Sequence, residues 1–173
     1  QHYTRRKDGK AFSFEHFVEN PSAYESAFEP FTKVTDIFIA AHFWDPDSPV
    51  FFTLDDMKKA DFSISVIADV SCDINGPIPS TVRATTIADP FYGFNPQKGK
   101  EERPFKNPDN ITVMSVDNLP GELPRDAASD FGGQLIGNIM DDLLNQRRSP
   151  MLERATICEN GKLTERYSYL EDY

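Results

Sequence analysis

Short apolar runs, set apart by polar and turn-rich stretches, dominate the chain. Asp36-Ile37-Phe38-Ile39-Ala40-Ala41 is apolar and rich in β-branched residues, with Asp45-Pro46-Asp47-Ser48-Pro49 beyond it. The run predicts a fully buried strand. Ser63 to Val70 predicts a second buried strand, and Ile111 to Val116 a third that stops at Leu119-Pro120. Between the first two, Thr53-Leu54-Asp55-Asp56 has the spacing of a capping box, with Asp at the third helical position. That predicts a short helix from Leu54 to about Lys59. Strand, helix and strand within about 35 residues is the size of one crossover unit with parallel strands.

Helical periodicity appears elsewhere. Ser13 to Val18 predicts a short helix. Asn20-Pro21 reads as a cap followed by a first-turn proline, and Tyr24, Ala27, Phe28 and Phe31 extend an amphipathic helix over residues 21–33. Residues 74–80 form a turn-rich loop, Thr81 to Ile87 reads as a further strand, and residues 95–110 as an exposed excursion. After Pro124, the positions Ala127, Phe131, Leu135, Ile139 and Leu143 recur every fourth residue, with Ile136 and Met140 beside them. This predicts a long helix over roughly 125–145. Gly132 and Gly133 inside it lower helix propensity and suggest close packing against another element. Ser149-Pro150 starts another helix, Glu159 to Lys162 makes a turn, and Thr164 to Leu170 a final short helix. The expected fold class is α/β.

Composition narrows the function. The 173 residues, 39% hydrophobic with 14 Phe, suffice for one domain or for parts of two. A charged fraction of 27% excludes global disorder. No apolar run is long enough to span a bilayer. A net charge of −10 argues against nucleic-acid and anionic-membrane partners, which need a cationic surface. The chain opens on Gln1 and a basic, polar stretch without the apolar core of a signal peptide. Either a processed terminus or a cut from a longer chain fits. Cys72 and Cys158 stand alone and read as thiols of a reducing, cytoplasmic compartment.

Candidate chemistry gathers at three strand ends. Ala41-His42-Phe43-Trp44, Val70-Ser71-Cys72-Asp73 and Val116-Asp117-Asn118-Leu119 each place polar or aromatic residues where a parallel strand finishes. Open parallel sheets bind ligands there. The plainer reading is that strand ends turn polar on reaching solvent. Asp69 and Asp73 would share a face if the strand ran through both, as one structural and one catalytic carboxylate. Alternatively Asp73 caps the turn before Asn75-Gly76. His2, His16 and His42 have no metal-ligand spacing, so no metal site is expected. Gly132-Gly133-Gln134-Leu135-Ile136-Gly137 lies in a helix with the wrong spacing for a dinucleotide fingerprint, and a Cys72–His42 nucleophile pair is weakly supported.

Two segments go further. Ile67-Ala68-Asp69-Val70-Ser71-Cys72-Asp73 and Ser115-Val116-Asp117-Asn118-Leu119-Pro120-Gly121-Glu122-Leu123-Pro124-Arg125 resemble signatures of the alanine dehydrogenase family, most closely its NAD-dependent saccharopine dehydrogenase branch. In that branch one strand ends in D-V-S-x-D, and a later strand runs into D-x-L-P-x-x-L-P-R before a long helix. The similarity covers about residues 34–145.

The resemblance implies a partial Rossmann-like parallel sheet, the second half of a nucleotide domain, over residues 1–117. A helical return to a catalytic domain would follow over 118–173. It implies NAD as cofactor, a small amino-acid substrate, and a chain that is the C-terminal portion of an oxidoreductase, inactive alone. It is compatible with a homo-oligomer. By motif, His42 and Phe43, Val70 and Asp73, and Val116, Asp117, Asn118 and Leu119 fall on the cofactor loops, with Asp73 also the candidate catalytic residue. The glycine turn and the acid–base Lys and His would precede Gln1. Cys72-Asp73-Ile74-Asn75-Gly76 departs from the alanine dehydrogenase pattern, which argues against alanine as substrate. An alanine dehydrogenase-like enzyme and a non-catalytic α/β binding module are the alternatives.

Overall fold

A computed structural model describes residues 3–145 and 147–171; the start of the chain, Gln1 and His2, lies outside the described residues. The chain divides into two compact units, Gln1–Glu122 and Leu123–Tyr173.

The first unit opens with β1 (Thr4–Arg6), then α1 (Phe14–Glu19), whose N-terminus is capped by the Ser13 hydroxyl accepting the His16 N–H. The helix expected over 21–33 does not form. Pro21–Ala23 make one 3₁₀ turn, Tyr24–Ser26 form β2 antiparallel to β1, and α2 spans only Glu29–Thr32. Pro30 lacks the N–H that a continuous helix would need at mid-length. Tyr24 is held by tertiary contacts instead: its hydroxyl donates to the Ser13 carbonyl at 3.0 Å, and its ring lies 5.0 Å from Phe17 and 5.5 Å from Phe12.

The central sheet follows the expected α/β plan. β3 (Ile37–Ala40) leads through α3 (Leu54–Met57) to β4 (Val66–Asp69). β5 (Phe91–Asn95), β6 (Lys100–Glu102) and β7 (Ile111–Met114) complete it, in the order β3-β4-β7-β5-β6. The predicted capping box is present: the Thr53 hydroxyl accepts from Asp56 N–H at 3.2 Å, and the Asp56 carboxylate accepts from Thr53 N–H at 2.8 Å. β3, β4 and β7 are parallel, consistent with part of a Rossmann-like sheet. The sheet is nonetheless mixed, because β5 runs antiparallel to both β7 and β6.

Three expectations change here. The stretch 95–110 carries the second strand of a hairpin rather than a bare excursion. Thr81 to Ile87 contributes one parallel bridge, Thr85 to Val116, rather than a strand. β3 is not fully buried: among the described residues it pairs only with β4, and Ile37 and Ile39 are 61% and 65% exposed. The core lies under the inner strands, where Ile67 and Val113 are fully buried with Ile78, Tyr92 and Phe94.

The second unit contains the long helical run, as α4 (Pro124–Leu135), a π-helical stretch Ile136–Met140 and α5 (Asp141–Leu144). Among the described residues, a Cβ at Gly132 or Gly133 would meet nothing within 4 Å, so the expected close packing finds no partner there. α6 (Pro150–Ala155) starts at the Ser149 cap. β8 (Cys158–Glu159) and β9 (Lys162–Leu163) pair around Asn160 and Gly161, whose φ values of 54° and 77° form the expected turn. Glu165–Leu170 is 3₁₀ rather than α-helical. No helix among the described residues is long and apolar enough to cross a membrane.

Candidate functional site

The parallel register sets Ala40 opposite Asp69 and Ala68 opposite Met114. The carboxyl ends of β3, β4 and β7 therefore open on one edge of the sheet, and the sequence-predicted site residues are the ones that leave it.

After β3, Phe43 projects almost entirely into solvent, at 94% exposure. His42 is half-buried, its ring centroid 4.6 Å from that of Phe51. Burial pushes the imidazole below its ordinary value, while Asp69 and Asp73 pull it the other way. Trp44 donates its indole N–H to the Ser48 carbonyl at 3.2 Å, which closes the loop locally.

After β4 the two aspartates separate. β4 ends at Asp69, so Asp69 and Asp73 do not share a strand face. Asp69 is fully buried and accepts three hydrogen bonds: from Ser71 Oγ at 2.8 Å, Cys72 N–H at 3.1 Å and Thr81 Oγ1 at 2.6 Å. Cys72 sits at φ 53°, a left-handed conformation uncommon for a residue with a side chain. Asp73 is exposed, and its carbonyl accepts from Gly76 N–H at 2.9 Å, which closes a tight turn. A Cβ on Gly76 would lie 2.5 Å from Asp73 Cβ, so only glycine fits there without a shift. The Cys72 thiol donates to the Ser115 carbonyl at 3.0 Å. Burial pushes that thiol up, and the charges of Asp69, Asp117 and Asp73 add to the effect, so it is not an activated nucleophile.

After β7, Ser115 is buried in a net of bonds to the neighbouring loop. Its N–H donates to Thr85 Oγ1 at 3.1 Å, its hydroxyl to the Arg83 carbonyl at 2.7 Å, and its carbonyl accepts Thr85 N–H at 2.9 Å. Val116 is buried, at 3% exposure, and its N–H donates to Met114 Sδ at 3.4 Å. Asp117 and Asn118 are exposed, Leu119 is half-buried, and Gly121 N–H donates to the Asn118 carbonyl at 3.0 Å.

An open groove of about 440 Å³ runs between the β3 and β4 loops, lined by Trp44, Pro46 and residues 72–76. It includes Asp73 and excludes His42, Phe43 and residues 116–119. No group of three His, Cys, Asp or Glu among the described residues could hold a metal ion. The sequence alone favours Asp73 over Asp69 and singles out neither the Thr81 nor the Ser115 side chain. The first aspartate of the D-V-S-x-D pattern was the signal available for Asp69.

No family model matches the chain. Alpha-aminoadipic semialdehyde synthase of Arabidopsis thaliana is 30% identical over 178 residues, 98% of this chain and 17% of that protein. The mitochondrial protein of the same name from Mus musculus is 26% identical, over 98% of this chain and 21% of its own length. Saccharopine dehydrogenase [NAD(+), L-lysine-forming] of Schizosaccharomyces pombe is 31% identical over 116 residues, 64% of this chain and 29% of that enzyme. The chain thus spans less than a third of each of these relatives. The comparisons give the alanine dehydrogenase side of the resemblance no support. By sequence the chain is related to the saccharopine dehydrogenases and the alpha-aminoadipic semialdehyde synthases.

Proposed function

We propose that the chain is part of an NAD-linked oxidoreductase of the saccharopine dehydrogenase kind, acting on a CH–NH bond. In the overall reaction saccharopine, NAD⁺ and water give lysine, 2-oxoglutarate, NADH and a proton. The observation that carries the reading is the common edge at which β3, β4 and β7 end, with His42, Asp73 and Asp117 on the three departing loops. Ligand sites of open α/β sheets lie outside such an edge.

The residues present fit the nicotinamide end of NAD. Phe43, Val70 and Ile74 expose apolar surface at the strand ends, suited to the face of a planar ring. The exposed polar groups of Asp117 and Asn118 offer partners to a carboxamide. The same edge is acidic and does not suit a pyrophosphate, whose glycine turn the resemblance places before Gln1. When bound, NAD supplies the hydride acceptor. The work assigned to this chain is to orient the ring and exclude water, with Asp73 at the groove holding water or tuning a base. The protonating groups belong to the segment that the resemblance places upstream. The reading keeps the protein cytoplasmic and free of nucleic-acid partners; the mouse relative is itself named mitochondrial.

The test is NAD-linked oxidation of saccharopine by the full-length protein. NADH and lysine should appear together, and Asp73→Ala should lower the rate. Absence of both NADH binding and saccharopine turnover would leave a non-catalytic module as the better account.

A further inference from the structure

We infer that Asp69 is a positioning residue: its buried carboxylate sets the Cys72–Asp73 turn and so fixes the wall against which the nicotinamide end would lie. The inference rests on the function proposed above and assigns a role to a residue that does not itself face the groove.

β4 ends at Asp69, and within three residues the chain enters a left-handed conformation at Cys72. A residue with a side chain holds that conformation only when its surroundings over-determine it. Here two contacts do so. Asp69 accepts the Cys72 N–H, and the Cys72 thiol donates to Ser115 at the end of β7. The next residue is Asp73, exposed on the groove.

Asp69 also reaches across the loop. One oxygen takes Ser71 and Cys72, while the other takes the buried Thr81 hydroxyl, twelve residues on. Thr81 therefore closes residues 70–81 on the carboxylate as a clasp. Ser115 is in turn bonded to Thr85 and Arg83. The segments leaving β4 and β7 and the stretch around 81–85 thus form one bonded unit with Asp69 at its buried end. The carboxylate is fully buried and does not line the groove, so it does not touch a ligand there. Its effect on chemistry must run through the turn it holds.

The experiment uses the full-length protein and four variants: Asp69→Ala, Asp69→Asn, Thr81→Val and Thr81→Ser. Saccharopine oxidation is followed at varied NAD and varied saccharopine, and hydrogen exchange is read on residues 70–76. Asp69→Ala and Thr81→Val should lower kcat/KM for NAD by roughly tenfold to a hundredfold. KM for saccharopine should stay near wild type, and exchange over 70–76 should rise. Asp69→Asn keeps an acceptor for Ser71 and Cys72, and Thr81→Ser keeps the hydroxyl; both should recover most of the loss. A folded Asp69→Ala with wild-type KM for NAD and wild-type exchange would overturn the inference. So would conservative variants no better than the severe ones. If Asp69→Ala does not fold, the Thr81 pair decides. If the wild-type protein neither binds NAD nor oxidises saccharopine, the proposed function fails and the positioning role of Asp69 toward the nicotinamide end fails with it. The exchange data then report separately whether the carboxylate holds the turn.

Discussion

The thiol of Cys72 donates to the backbone carbonyl of Ser115 at 3.0 Å, joining the segments that leave β4 and β7. The bond requires a protonated thiol, and burial favours that form. Cys158, by contrast, is exposed. Thiol-reactive probes at neutral pH should therefore label Cys158 well before Cys72, the thiolate fraction falling about tenfold for each unit that a pKa rises. Equal labelling rates, read by mass spectrometry, would contradict the placement of Cys72.

Two carboxylates give the fold a defined acid limit. Asp56 is held down to about 2 from 3.8, first by the Lys59 ammonium and then by the backbone and hydroxyl of Thr53. Glu102 is held down to about 2 from 4.5, first by Lys98 and then by Asn110. A carboxylate depressed in the folded state stabilises it above the unfolded value, and that contribution is lost as pH falls through the folded value. Thermal stability should therefore be insensitive to these groups above their ordinary values and drop between about pH 4 and pH 2. Asp56→Asn and Glu102→Gln should each lower the melting temperature near neutrality and converge on wild type at the acid end. A gap that stays constant across that range would count against these pairings.

Tyr92 is a buried hydroxyl with both bonds made. It accepts Val82 N–H at 3.1 Å and donates to the Ser80 carbonyl at 2.7 Å. Tyr92→Phe leaves two backbone groups without that partner and should cost about 1–3 kcal/mol. The check is chemical denaturation, with exchange at residues 80–82 rising in parallel.

Position in the sheet should separate two aliphatic truncations. Val113 is fully buried on β7, whereas Ile39 is 65% exposed on the edge strand β3. Val113→Ala should destabilise by about 1–3 kcal/mol and Ile39→Ala by less than about 0.5 kcal/mol. Similar losses in denaturation would place the core elsewhere.

The three parallel strands were legible because each is a short β-branched run with punctuation at both ends, and α3 because Thr53 and Asp56 carry the capping box. The hairpin was not. Phe91 to Asn95 lies between two prolines, and the Lys- and Gly-rich residues after it have the composition of a loop; only pairing with β7 makes the segment a strand. The 21–33 periodicity misled because Tyr24 and Phe28 satisfy a helical pattern while tertiary contacts draw them into a hairpin and an aromatic cluster. At the site, order along the chain placed His42, Asp73 and Asp117 at strand ends, which the sheet register brings to one edge. The division of labour between Asp69 and Asp73 was hidden, because spacing cannot reveal that the strand stops at Asp69 or that Thr81 returns to meet it.

The central claim is that this edge receives the nicotinamide end of NAD. Hydrogen exchange of the full-length protein, with and without NADH, tests it most directly. Within this chain, the account predicts protection at residues 41–46, 70–76 and 115–119, with the β5–β6 hairpin unchanged. Unaltered exchange in those three segments when NADH is bound would contradict it.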